Sequence, residues 1–306
     1  MKNFEEYNRT DLACEKIIPK AEDGEESGVI YSESEESGVL ISRLEVISEK
    51  GQEAIGKPMG KYITLFCGNI WQFEEDQFEG VATVIADEIR RLTDEILGRE
   101  TKEDCTLLVV GLGNQYITAD AIGPQTVKQI TVTRHIREMD SELFSKMNCC
   151  AISAITPGVL GQTGIEAVEL IRGAAKDVSP DLVIVVDALA ARSCERLAST
   201  IQLSDTGINP GSGIGNMRKT INSETIGFPV VALGVPTVVD SSTLVYDALQ
   251  KAGIENISDE LKTVLNNGRG FYVSPKESDI ITKEIAKLLS TAINRAFYAE
   301  FSSMTG

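Results

Sequence analysis

Short runs of apolar, β-branched residues recur along this chain, and stretches with helical spacing lie between them. DLVIVV at 181–186, TLLVVGLGN at 106–114, CCAISAIT at 149–156 and PVVALGVP at 229–236 are dominated by apolar residues. Runs of that length predict strands buried on both faces, as in a parallel sheet. Between them the period changes. Val81, Ile85, Ile89, Leu92 and Ile96 place one apolar stripe on a helix over 78–97. Further helices are predicted from about 120 to 135, over 165–176 and near 237–251, with a helix-rich tail at 259–301.

Strands alternating with helices predict an α/β fold built on a doubly wound, mostly parallel sheet. ISRLEVIS at 41–48 and KYITLF at 61–66 alternate enough to be strands, so 21–66 reads as a β-rich addition to that sheet. The acidic segment 21–40 carries EESGV twice, at 25–29 and 35–39. The repeat suggests either the two arms of a hairpin or a mobile acidic loop. At 306 residues the chain has room for one large domain, or for a core with a smaller lobe.

Composition narrows the function. With 42% hydrophobic and 25% charged residues the chain is an ordinary globular protein. A net charge of −17 argues against general affinity for nucleic acid or anionic membranes, though not against a basic protein partner. No run approaches the length of a membrane span, and MKNFEEYNRT lacks the apolar centre of a signal peptide. The six cysteines form no CxxC pair, which predicts reduced thiols in a cytoplasmic compartment. Cys149 and Cys150, in a predicted strand, read as small core residues.

Nucleotide motifs fail on spacing. Gly111 and Gly113 would need a third glycine where Tyr116 stands. Gly211, Gly213 and Gly215 place Asn216 at that position, and no GxxxxGK[ST] exists. The only histidine, His135, falls near the end of a predicted helix, where the dipole favours it without any catalytic role. Carboxylates remain. The strand at 181–186 ends in Asp187, which either caps a following helix or performs chemistry at the head of the polar segment 187–216. Asp120 follows the first glycine turn, so a parallel sheet would bring it to the same edge as Asp187. Two facing carboxylates could divide the roles of acid and base, or they could grip a divalent metal.

In order along the chain, GLGNQYITADAIGP, VTRHI, SAITPGVLGQTGIE, PDLVIVVDALAARSCER, TIQLSDTGINPGSGIGN and GFPVVALGVPTVVD resemble the germination proteases of spore-forming bacteria. The resemblance spans roughly 9–240. It implies an endopeptidase that degrades small acid-soluble spore proteins in the spore core, made as a self-processing zymogen and assembled as a homotetramer. It implies a core similar to that of the hydrogenase maturation proteases and an aspartic-type catalytic pair at Asp120 and Asp187. In those relatives two acidic positions and a histidine hold nickel, but no histidine here matches, so no cofactor is expected.

The resemblance also gives meaning to RTDLACE at 9–15. Thr10-Asp11-Leu12-Ala13 fits a cut between an acidic residue and an apolar one followed by alanine, which divides the chain into a propeptide, 1–11, and a peptidase domain, 12–306. Within the latter, 106–251 would be the α/β core. The segment otherwise reads as an ordinary helix cap at Thr10 or Asp11, with Glu15 nearby. Polar and ahead of any strong strand or helix, its flank can extend into an active-site groove, as a substrate must. An acidic residue before the cut calls for a basic or hydrogen-bonding pocket, for which Arg192 and Lys219, flanking the polar loop, are candidates.

Overall fold

The computed structural model describes residues 9–16, 27–101, 104–211, 218–254, 257–267 and 270–298. Among them the strands are β1 (Val29–Glu36), β2 (Val39–Val46), β3 (Gly60–Phe66), β4 (Thr106–Gly111), β5 (Ala151–Ile155), β6 (Leu182–Ala191), β7 (Thr200–Ser204), β8 (Val230–Asp240) and β9 (Tyr272–Val273). They form one sheet in the order β1-β2-β3-β7-β8-β6-β4-β5, with β9 paired to β8. Strands β8, β6, β4 and β5 run parallel. The β1-β2-β3-β7-β8 side is antiparallel and continuous with them.

Alternation within the buried strands sends neighbouring side chains to opposite faces. Leu107 and Val109 of β4, with Ile184 and Val186 of β6, pack under the helices Glu75–Leu97 and Ser278–Phe297. Leu108, Val110, Val183 and Val185 point the other way and meet Val168, Ile171 and Ala175 of the helix Ala167–Val178. The predicted stripe on the helix Glu75–Leu97 is the buried one: Val81, Ile85, Ile89 and Leu92 all lie inside. Its start is held by a reciprocal cap between Glu74 and Gln77, and its end by Gly98 at φ 64°.

The observed elements differ from the expected ones at four places. β1 has no apolar alternation, because as an edge strand it carries charge on both sides, a pattern that discourages pairing with other molecules. The second EESGV copy is the hairpin turn itself, with Ser37 at φ 49° and Gly38 at φ 76°. Of the first copy, residues 25–26 lie outside the described residues. The helix expected over 120–135 is broken into Ile122–Val127 and Arg134–Met139. The β-branched run Ile130-Thr131-Val132-Thr133 intervenes, and Thr133 instead bonds β5, its hydroxyl donating to the Cys150 carbonyl and accepting from the Ile152 amide.

The fourth difference matters most. The segment 187–216 is not a long loop from its start. β6 continues past Asp187 to Ala191, and β7 lies between β3 and β8 in the middle of the sheet. Residues 212–217, which include Gly213, Gly215 and Asn216, lie outside the described residues.

Candidate active site

β4 has β5 on one side and β6 on the other, and the chain leaving β4 turns toward β5. Between β4 and β6 lies the switch point at which doubly wound sheets open a crevice. The glycines that fail as a nucleotide motif build this crevice by close packing. A side chain at Gly111 would strike the Gly123 carbonyl at 2.2 Å, and one at Gly113, at φ 114°, would strike the Asp120 carbonyl at 2.0 Å. Beyond Gly113 a 3-10 turn at Thr118–Asp120 presents Asp120, whose Oδ2 accepts from the Asn114 amide at 2.8 Å.

Asp187 reaches the same crevice from within β6, one residue beyond Val186, which pairs with Gly111. It is only 4% exposed. Its Oδ1 accepts from the Ala188 amide at 2.9 Å, and the first helical turn after it, Cys194–Arg196, is capped by Ser193 instead. Asp187 is therefore no helix cap. Both carboxyls line a cavity of about 330 Å³ together with Gly158, Glu166, Thr237 and Arg218.

Burial drives the electrostatics. Desolvation pushes the Asp187 carboxyl well above its ordinary range, and the charges of Asp120 and then Asp11 push it further; the Ala188 amide and Arg218 oppose them. Asp120 is also raised, again chiefly by burial, against the Asn114 amide and Arg218. Two neighbouring carboxyls whose proton affinities are both raised hold a proton more readily than free aspartates do, so one can serve as acid while the other serves as base.

Across the mouth lies the N-terminal segment. The Asp11 amide donates to the Ala190 carbonyl at 2.9 Å, and the Ala190 amide donates back to Asp11 Oδ2 at 2.9 Å. The Ala13 amide donates to Gln202 Oε1 at 2.6 Å. Leu12 and Ala13 are fully buried, Leu12 against Leu189, Leu197 and Val239. Glu15 accepts from the Arg192 and Ser193 amides at 2.8 and 2.9 Å and from the Thr10 hydroxyl. A polar run docks here because Leu12 and Ala13 carry it into the core.

The germination protease family model matches residues 8–253. The chain belongs to the germination protease family. It is 41% identical to a germination protease of Caldanaerobacter subterraneus subsp. tengcongensis, over 94% of this chain and 93% of that one. It is 38% identical to one from Clostridium perfringens, over 95% of each. Among solved structures, a [NiFe] hydrogenase maturation protease from Thermococcus kodakarensis matches 67% of this chain and 99% of its own, at 16% identity and a TM-score of 0.32.

This germination protease family member is thus a peptidase, and its remaining candidate residues are placed differently with respect to the crevice. Lys219 lines the cavity, its ammonium 3.3 Å from Glu169 at the surface. Arg192 does not line it; its guanidinium turns to Asp247, 3.7 Å away, and only its backbone serves the N-terminal segment. Arg218, the cation that acts on both aspartates, has no pattern signal beyond standing next to Lys219 in the MRKT run. His135 is exposed in the first turn of its helix, not the last, so the dipole argument for it fails. Among the described residues no group of three His, Cys, Asp or Glu side chains could hold a metal ion. No helix among them is long and apolar enough to cross a membrane.

Proposed function

We propose that Asp120 and Asp187 are the catalytic pair of an endopeptidase that starts the degradation of small acid-soluble spore proteins in the germinating spore core. The observation that carries this reading is a buried carboxyl, Asp187, raised in proton affinity beside a second one, in a cavity that also admits Asp11. The ionised member takes a proton from water as it attacks the peptide carbonyl, and the protonated member gives one to the departing amine. Arg218 limits the charge repulsion between them.

The enzyme is made as a zymogen, works as a homotetramer and cuts itself between Asp11 and Leu12. Docking of Thr10–Glu15 beside the pair supports the cut, because the segment is already held where a substrate strand would add to β6. Of the two expected pocket residues, Lys219 on the cavity wall remains a substrate contact, and Arg192 is not proposed as one.

The test is turnover of a purified small acid-soluble spore protein by the wild type and by Asp187→Asn, each with and without EDTA and o-phenanthroline. Loss in the variant with chelator resistance in the wild type supports the paired-aspartate reading. Near wild-type turnover by Asp187→Asn overturns it, and chelator-sensitive activity restored by one divalent ion moves the mechanism to metal-activated water.

A further inference from the structure

The carbonyl oxygen of Asp11 belongs to the peptide bond proposed for self-cleavage, and two side chains converge on it, one from the turn before β3 and one from β7. Lys57 Nζ donates to it at 2.7 Å and Gln202 Nε2 at 3.2 Å. Neither side chain is held there by chance. Gln202 sits in β7, 8% exposed, with its amide oxygen fixed by the Ala13 amide, which turns its NH₂ toward Asp11. Lys57 follows the helix Glu49–Ile55, whose end is set by Gly56 at φ 66°. Asp11 and Leu189 are the residues shared by the two cavities here: the one holding the aspartates, and one of about 500 Å³ lined by Lys57 and Gln202. Asp11 thus borders both the cavity of the carboxyl pair and the cavity of the two donors that hold its carbonyl.

We propose that Lys57 and Gln202 are the oxyanion-stabilising donors of the self-cleavage step. The proposal rests on the reading that the chain cuts itself between Asp11 and Leu12. Water, losing one proton to the ionised carboxyl, forms a bond to the Asp11 carbonyl carbon, and the C=O electron pair moves onto the oxygen. That oxygen carries negative charge only in the tetrahedral state, so donors fixed on it favour the transition state over the resting peptide. Collapse re-forms the carbonyl and breaks the C–N bond. Leu12 nitrogen takes a proton from the carboxyl pair, and the new Asp11 α-carboxyl passes its own proton to that amine, leaving a carboxylate and a Leu12 ammonium.

A charged donor does more here than a neutral one, and burial sets when Lys57 is charged. Desolvation lowers its pKa to about 8, opposed by Asp11 and Cys14 and assisted by Lys16. The other ionisable groups lining its cavity are Arg9 and Tyr62. Self-cleavage therefore slows as pH rises through about 8, when the ammonium loses its charge.

The experiment follows cleavage of the full chain by mass spectrometry in timed samples across that pH range. The wild type, Lys57→Arg, Lys57→Gln and Gln202→Glu are compared; the last keeps the acceptor for Ala13 and removes the donor. The expected result is a cut at Asp11–Leu12 in the wild type, slowed roughly a hundredfold or more in Lys57→Gln and in Gln202→Glu. In Lys57→Arg, which stays charged, the slowing near pH 8 is weaker than in the wild type. Wild-type rates in Lys57→Gln, or a wild-type rate that does not fall through that pH, overturn the donor role while leaving self-cleavage standing. No cut at Asp11–Leu12 in the wild type overturns both.

Discussion

Asp11 and Ala190 are joined twice, amide to carbonyl and amide to carboxylate, both at 2.9 Å. The pair lays Asp11 alongside β6 at one residue and gives the Asp11 side chain a structural reason to be acidic. Asp11→Ala leaves the Ala190 amide without its partner and should block processing, whereas Asp11→Glu keeps a carboxylate and should permit it. N-terminal sequencing after incubation decides this. A new terminus elsewhere in the first twenty residues, still formed by Asp11→Ala, would show that another peptide bond is cut.

Glu15 is the second anchor. Its carboxylate satisfies two backbone amides and a hydroxyl at once, and an amide side chain has only one oxygen with which to accept. Glu15→Gln should lower the unfolding free energy by about 1–3 kcal/mol. It should also raise hydrogen exchange at residues 11–14 more than elsewhere. Uniform loss of protection along the chain would mean that Glu15 supports the whole fold rather than this segment.

The raised carboxyl of Asp187 has a consequence for stability with a definite sign. The folded state binds its proton more tightly than the unfolded state does, so stability falls as pH rises from the ordinary aspartate value toward the raised one. Each tenfold difference in proton affinity amounts to about 1.4 kcal/mol. Asp187→Asn should therefore melt at a higher temperature than the wild type near neutrality, and the gap should close in mild acid. Asp120→Asn should narrow the pH window without abolishing it, because burial outweighs the neighbouring charge. A gap independent of pH would show that Asp187 is not held protonated.

If the two carboxyls act as one unit, removing both should be little worse than removing either. Asp120→Asn, Asp187→Asn and the double variant should lose comparable factors of turnover on a spore-protein substrate. Additive losses would indicate separate tasks for the two groups.

The parallel half of the sheet was legible because Val183, Val185 and their equivalents are buried on both faces and leave continuous apolar runs. Asp120 and Asp187 could be paired from topology alone, since both follow strands that must end at one edge. What escaped was set by distant partners. Asp187 reads as a strand's end, yet the strand continues through Ala188–Ala191, where the N-terminal segment supplies bonding that no local pattern shows. β7 is five residues long with Gln202 at its centre, a polar position explained only by Ala13 and Asp11. Lys57 carries no signal at all, because nothing in its neighbourhood predicts which carbonyl it will meet.

The bond between Ala190 and Asp11 also has a temporal meaning, since 179 residues separate its two ends. A ribosome releases Asp11 early and Ala190 only after more than half of the chain has followed. Closing so long a loop is among the slower events of folding. Until β6 enters the sheet, the peptide bond after Asp11 has nowhere to dock. If the chain cuts itself after Asp11 as proposed, a truncated or stalled chain would keep its first eleven residues, and the length of the N-terminus would record whether synthesis and folding had run to completion.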